Sequence, residues 1–386
     1  MKITENSSDN FQIDRLHLNG INLINEYSAL AIYENIFVNG ITVTIDIIEI
    51  ENFLETQEIE EGAELEITYF AKYPPKIPEM AEYTDVFHLY KIERVKSSNQ
   101  GNKVYRMHFI NQEAHINAKK SISRSYRDKI SSEIIESNFS FLESNKELDI
   151  TASDDFIPLF VVPNLKPLQV INRLCLEAFK AESNDYVFYE DKEKFNCKTI
   201  TELFEEGPVL EYIMEQTSLD WERDKEVQHR NIIEYWTDKV KWNSLENINT
   251  GLYGSKLFTR NILSKIHDFT EFEGKESDFS TPDTLHISSS DNYFNREKIR
   301  EYQQDRLSRV NNLNENRLII VTPLNSNITV GKTVDVKIPT TKLGSITEGK
   351  VSKELDELLS GKYLISKCKT EITPIEGKNI LELIKR

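Results

Sequence analysis

The sequence predicts a fold of the α+β class that is mainly β, and three patterns carry that prediction. Apolar residues alternate with polar ones through positions 1–115, helical spacing takes over between 116 and 208, and alternation returns after 313. Strands send successive side chains to opposite faces, whereas helices gather every third or fourth residue on one side, so the two periods separate the element types.

Ile41, Val43, Ile45 and Ile47 alternate with Thr42, Thr44 and Asp46, the mark of a half-buried strand. A turn at Glu60, Glu61 and Gly62 leads to Leu65, Ile67 and Tyr69, again alternating. Pro74, Pro75 and Pro78 then interrupt the ladder, because proline lacks the N–H that a central strand must donate. Strands at Val86–Val95 and Val104–Ile110 follow, joined by the polar hairpin loop Ser97–Asn102. Residues 1–115 therefore read as one antiparallel β unit.

From Ser121 to Glu143, Tyr126, Ile130 and Ile134 recur at i+4, which predicts a helix with one apolar face. A second helix is expected from Pro167, a residue favoured in the first helical turn, burying Leu168, Ile171, Cys175 and Phe179. Phe156–Val162 reads as a short strand, and Tyr186–Tyr189 with Phe195–Thr199 as a hairpin across Glu190, Asp191 and Lys192. Residues 116–208 thus form an α+β unit.

Between 209 and 290, single aromatics (Tyr212, Trp221, Tyr235, Trp236, Trp242) sit in polar sequence, with helix and strand both open. Ser277–Asp291 reads as a loop. Asn295–Asn312 is a charged helix with a thin apolar side of Ile299, Tyr302 and Val310, expected to lie on the surface and to be mostly solvated. Strands return at Leu318–Thr322, over Val334, Val336 and Ile338, and at Tyr363–Ile372, with a helix-like insertion at Lys353–Leu359.

Composition narrows the function classes. The 386 residues exceed what a single core usually serves, about 300 residues, so several packed units are expected. Hydrophobic residues at 39% are enough to build those cores, which excludes a disordered chain. No stretch of some 18–20 apolar residues occurs, so no stable membrane insertion is expected, and the polar N-terminus lacks the apolar core of a signal peptide. Cys175, Cys197 and Cys368 cannot all pair and show no CxxC spacing, which fits synthesis in a reducing cytoplasm. Asp and Glu exceed Lys and Arg by 64 to 47, a formal charge of −17 that opposes tight nucleic-acid binding.

Motifs for chemistry are missing. Val330-Gly331-Lys332-Thr333 looks like the end of a phosphate-binding loop, but that loop needs glycine at 326, where Ser326 stands, and then a helix. A glycine turn between two strands is the better reading. His17, His88, His108, His115, His229, His267 and His286 show no HxH or HxxxH spacing, although His88 and His108 lie on neighbouring predicted strands and could meet. No G-x-S-x-G elbow is present, and no carboxylate pair can be picked from 64 acidic residues. Lys119, Lys120, Arg124, Arg127 and Lys129 form the notable basic cluster, without the interleaved aromatics of a nucleic-acid site. No catalytic, cofactor-binding or metal-ligating residue is assigned, and an enzyme is not expected.

The order of these units resembles the central hub family of T4-like phage baseplates. The likeness lies in Glu61–Ile67 with Phe87–Ile92, in Tyr105–Glu113 running into Ile122–Tyr126, and in the helix Asn295–Asn312 leading into Arg317–Thr322 and Ile328–Val334, closed by Gly361–Cys368. The resemblance implies two tube-like β-barrel domains plus α+β insertion domains. Residues 1–115 would form the first tube-like domain and 116–208 the α+β domain. Residues 209–250 plus 313–375 would form the second tube-like domain, 251–312 an inserted domain and 376–386 a C-terminal tail.

It further implies a structural homotrimer joining the hexameric tail tube to the trimeric central spike, among other baseplate proteins. Its localisation would be the virion tail baseplate, assembled in the host cytoplasm. Phage DNA would pass through its lumen without specific binding. The faces lining such a ring are expected to carry more Asp and Glu than Lys and Arg, because an acidic wall repels phosphates. Lys72–Thr84 and the loop Ser97–Asn102 would be contact segments. A type VI secretion or tailocin hub shares this reading; a tail-associated polysaccharide-degrading enzyme or adhesin is the alternative of a different class.

Overall fold

The computed structural model describes residues 6–7, 11–49, 59–72, 82–97, 103–181, 183–214, 230–237, 243–261, 265–276, 286–291, 299–313, 317–340, 346–347, 350–351 and 355–385. The N-terminal part carries β1 (Asn6–Ser7), β2 (Phe11–Leu18), β3 (Ile21–Asn22), β4 (Tyr27–Asn35), β5 (Thr42–Glu49), β6 (Glu64–Ala71), β7 (Tyr83–Ser97) and β8 (Lys103–Asn111). Next come α1 (Gln112–Lys119), β9 (Ile122–Lys129), α2 (Ser131–Phe139), β10 (Leu148–Ile150), β11 (Ile157–Leu165), α3 (Pro167–Glu177), β12 (Tyr186–Glu190), β13 (Phe195–Thr199) and α4 (Ile200–Glu205). The remainder comprises β14 (Leu210–Ile213), β15 (Glu234–Trp236), α5 (Ser244–Thr250), β16 (Gly254–Asn261), β17 (Ile266–Glu273), β18 (His286–Asp291) and α6 (Ile299–Leu313). It closes with β19 (Arg317–Pro323), β20 (Thr333–Lys337), β21 (Ile346–Thr347), β22 (Lys350–Val351), β23 (Gly361–Ile372) and β24 (Gly377–Ile384).

One large sheet runs through both ends of the chain in the order β1-β2-β6-β7-β8-β5-β4-β23-β24-β19-β15, with β20 on β23 and β14 on β20. Its inner face buries two apolar clusters. Phe11, Ile13, Leu16, Ile45, Leu65, Phe87 and Phe109 centre one in the N-terminal unit. Tyr212, Ile320, Val334, Tyr363 and Leu381 centre the other in the C-terminal unit. A third cluster, around Ile134, Phe160, Ile171 and Phe195, belongs to the α+β unit. At about 25 cal/mol for each Å² of apolar surface removed from water, burial of these alternating faces is what drives each unit to fold.

Among the described residues the large sheet does not close into a barrel. The edge of β4 that would return toward β2 is taken by β23, with Lys369 opposite Tyr33. In the C-terminal unit the isolated bridge Ile213–Asn231 brings the segment before β15 back to β14, without a continued ladder. Residues 376–386, expected as a tail, carry β24, a strand between β23 and β19 with Leu381 and Leu383 fully buried.

The stretch read as a helix over Ser121–Glu143 splits into β9 and α2. The spacing of four that joins Tyr126, Ile130 and Ile134 is also twice the strand period, so it cannot distinguish the two elements; Tyr126 lies in β9, which pairs with β11, and Ile134 in α2. Where it is described, the region 209–290 forms β14, β15, α5 and the separate sheet β17-β16-β18, and the expected loop ends in β18. Lys353–Leu359 is not helical where it is described: Leu355 bridges Pro339, and the Asp356 carboxylate accepts from Leu358 N and Leu359 N at 2.9 and 3.2 Å.

The charged helix α6 is packed rather than solvated, since none of its described side chains from Gln303 to Leu313 is exposed. Gln304 Nε2 donates to Ser255 O at 2.8 Å, and Ser308 Oγ to Leu252 O at 3.0 Å. A seam made of satisfied polar groups leaves no trace in an apolar pattern. Residues 73–81 and the loop 98–102, expected as contact segments, lie outside the described residues.

Candidate functional site: the shared sheet face and the joint beneath it

The outer face of the large sheet is a continuous surface shared by both β units. Pairing register sets its rows: Glu93 opposite Arg106, Arg106 opposite Asp46, Lys369 opposite Tyr33, Lys367 opposite Glu382, and Glu371 opposite Lys378. Directly opposed residues of an antiparallel pair project from the same face, within reach of each other. Arg106 therefore forms a two-pronged contact with Asp46, Nε–Oδ1 and Nη2–Oδ2 both at 2.7 Å. His108 Nε2 lies 3.2 Å from Glu93 Oε2, and Lys91 pairs with the same carboxylate. Lys367 Nζ meets Glu382 at 2.9 Å, while Lys369 and Lys378 flank Glu371 at 3.5 and 3.7 Å.

From β7 to β24 this strip opposes Asp46, Glu93, Glu371 and Glu382 to Lys91, Arg106, Lys367, Lys369 and Lys378, so it is close to neutral. The carboxyl of Glu93 is held below its usual range by hydrogen bonds from Lys91 and His108. Such exposed pairs contribute little stability, but they commit every one of these cations to a carboxylate.

Beneath the sheet, the turn joining β12 and β13 is wedged between the two β units. Glu190, at the end of β12, accepts from Ile41 N at 2.8 Å, from Asn111 Nδ2 at 2.6 Å and from Lys146 Nζ at 2.7 Å. The Asn111 side chain also caps α1 by accepting from Ala114 N at 3.0 Å. Lys146 Nζ reaches Asp85 on β7 at 2.6 Å as well. Burial pushes the Glu190 carboxyl up to about 7, against the pull of Lys146.

Two residues on, Lys192 enters the C-terminal unit. Its Nζ donates to Ser326 O at 2.9 Å and Ile328 O at 2.7 Å, lies 3.7 Å from the fully buried Glu34 of β4, and packs over the Tyr83 ring. Burial works against the Lys192 charge, but neighbouring Tyr69 and Glu34 outweigh it and raise its pKa. Burial likewise raises Glu34, opposed by Lys192 and by the Thr329 hydroxyl that donates to it. Asp191 fixes the turn itself, Oδ1 accepting from Glu193 N and Lys194 N at 2.8 Å and Oδ2 from Asn196 Nδ2 at 2.7 Å. These groups are spent on each other; their chemistry is to lock three units together.

Gly331 completes the joint. It adopts φ +77°, and a Cβ there would stand 2.1 Å from the Tyr189 hydroxyl. The segment Val330–Thr333 is thus a glycine turn leading into a strand, as the sequence suggested, and β20 begins where a phosphate-binding loop would need a helix.

His88 meets His115, with ring centroids 5.2 Å apart, rather than His108. Among the described residues no group of three His, Cys, Asp or Glu could hold a metal. Cys175 and Cys197 touch within the α+β core, Sγ to Sγ 3.9 Å, and Cys368 is buried elsewhere. The basic cluster is spread over α1 and β9, where Lys120 pairs with Glu143 and Lys129 with Glu133. Glu34, Lys146, Glu190 and Lys192 were not singled out from sequence. One signal was available for Glu34, which continues the inward period of Leu30 and Ile32.

No protein family model matches the sequence, and no curated protein is recognisably similar to it. Solved structures are. The tail protein of Neisseria meningitidis MC58 superposes with a TM-score of 0.59 at 9% identity, covering 97% of this chain and 96% of that one. The 43 kDa tail protein of prophage MuSo2 from Shewanella oneidensis gives 0.58 at 7% identity, covering 98% of both. An E. coli type VI secretion component is more distant, at 0.46 and 9% identity, covering 97% of this chain and 76% of that one. The chain therefore shares its fold, end to end, with these two tail proteins.

Proposed function

We propose that the chain is a structural baseplate hub of a contractile phage tail, a homotrimer joining the hexameric tail tube to the trimeric central spike. The observation that supports it most is the overlap with two tail proteins, one of them from a prophage, over nearly the whole length of all three chains. The shared sheet is the second support. Two β units side by side in each of three copies give six similar faces, the number needed to meet a hexameric tube on one side while keeping three-fold symmetry on the other. In this reading residues 1–115 act as the first tube-like domain, and 209–250 plus 313–375, completed by β24, as the second.

The outer sheet face would line the passage for DNA. Its strip from β7 to β24 is balanced rather than acidic, so release of DNA rests on those cations being held by carboxylates, leaving few free to replace the counterions condensed on the phosphates. The joint at Glu190 and Lys192 keeps the two units at a fixed angle, and the role is one of geometry, not bond chemistry. Light scattering on the purified chain, with and without a co-expressed spike protein, tests the reading. A mass three times the 45.0 kDa chain is expected, and a monomer that ignores the spike would sink it.

A further inference from the structure

Two eight-residue edge strands in separate sheets carry opposite charge. β9, Ile122–Lys129, pairs only with β11 among the described residues, and β17, Ile266–Glu273, pairs only with β16. β11 carries Pro158 and Pro163, which have no N–H to donate, so β9 is the strand of this ribbon better suited to pair with a further one. Its residues Arg124, Arg127 and Lys129 outweigh Asp128, whereas Asp268, Glu271 and Glu273 make β17 acidic.

Both strands are largely exposed, unlike the buried strands of the large sheet. Long exposed edges are templates for pairing with another chain unless something covers them. Much of the charge is already engaged: Lys129 with Glu133, Glu271 with Lys256, and Arg124 over the Phe141 ring. Arg127 and Glu273 make no ion pair among the described residues, one on each edge.

We propose that β9 of one copy lies along β17 of the next, extending the β9–β11 ribbon across the subunit boundary with Arg127 facing the acidic edge that includes Glu273. This rests on the trimer reading and names its contact. A β9–β9 contact would set basic edge against basic edge, so the pairing joins two different surfaces; a contact between different surfaces that closes on itself makes a ring instead of a two-fold dimer. With a charge of −17 two copies repel each other on average, and setting a basic edge against an acidic one offsets that repulsion at the contact.

The test is the dilution midpoint of the oligomer by light scattering for the full-length chain, for Arg127→Glu, for Glu273→Lys and for the charge-swapped double variant. Both side chains are exposed, and circular dichroism checks that each variant keeps the fold. Each single reversal is expected to raise the midpoint at least about tenfold, and the double variant to restore most of it. A native trimer whose midpoint is unmoved by either reversal, or whose double variant is no better than the singles, overturns the β9–β17 contact and leaves the trimer reading standing. A native chain that is monomeric at every concentration overturns both.

Discussion

Replacing Lys192 with methionine keeps the stem of the side chain and removes the charge that binds the β12–β13 turn into the C-terminal unit. Two buried carbonyls, Ser326 O and Ile328 O, then lose donors at 2.9 and 2.7 Å, and the fully buried Glu34 loses its cation at 3.7 Å. Each orphaned acceptor costs about 1–2 kcal/mol, and breaking one side of a buried pair brings the total to about 3–5 kcal/mol. With a urea dependence of about 3 kcal/mol per molar, the unfolding midpoint should fall by about 1–2 M, followed by far-ultraviolet circular dichroism. Adding Glu34→Gln removes the stranded carboxylate, so the double variant should recover about 1–3 kcal/mol relative to the sum of the singles. A Lys192→Met midpoint equal to that of the native chain, or strictly additive variants, would refute the idea that this pair locks the units.

Three further outcomes are expected. Glu190 titrates at about 7 in the fold against an ordinary 4.5, so the native state binds more protons between these values. Its contribution is therefore complete below pH 4.5 and is lost as the pH rises through 7, and Glu190→Gln should flatten that part of a stability–pH profile. Gly331→Ala places a methyl group 2.1 Å from the Tyr189 hydroxyl at a φ of +77°, and should lower stability by about 2–4 kcal/mol in thermal or urea unfolding, whereas Gly20→Ala, with open space around it, should lose only the φ-related part of that. All three cysteines are buried, and the hydrogen bond with the Cys175 thiol, together with burial, pushes Cys197 well above its usual range, so a thiol reagent should label none in the native chain and three after denaturation.

Much of this architecture is legible in the chain itself. Alternation at Ile41–Ile47, Leu65–Tyr69 and Val334–Ile338 states which residues lie on an inner face, because a strand leaves only two sides to choose from. Pro167 opens a helix and Gly331 makes a turn for equally local reasons, φ preference and the lack of a Cβ. Spacings that fit both periods were not decidable from within, and Ile122–Lys129 became a strand once β11 supplied its partner.

Other features exist only in the folded whole. That β4 turns its edge to β23, 330 and more residues along the chain, instead of closing a barrel of its own, depends on which of two edges is nearer in space. That Lys192 is a buried lock and Lys194 a partly exposed pair with Asp149 cannot be read from two lysines in one turn. A charge has no period; its cost and its use are set by the neighbours that desolvate it, and those come from β4, from β7 and from the loop before β20. The sequence by itself determined the faces, and the tertiary structure decided what stands opposite them.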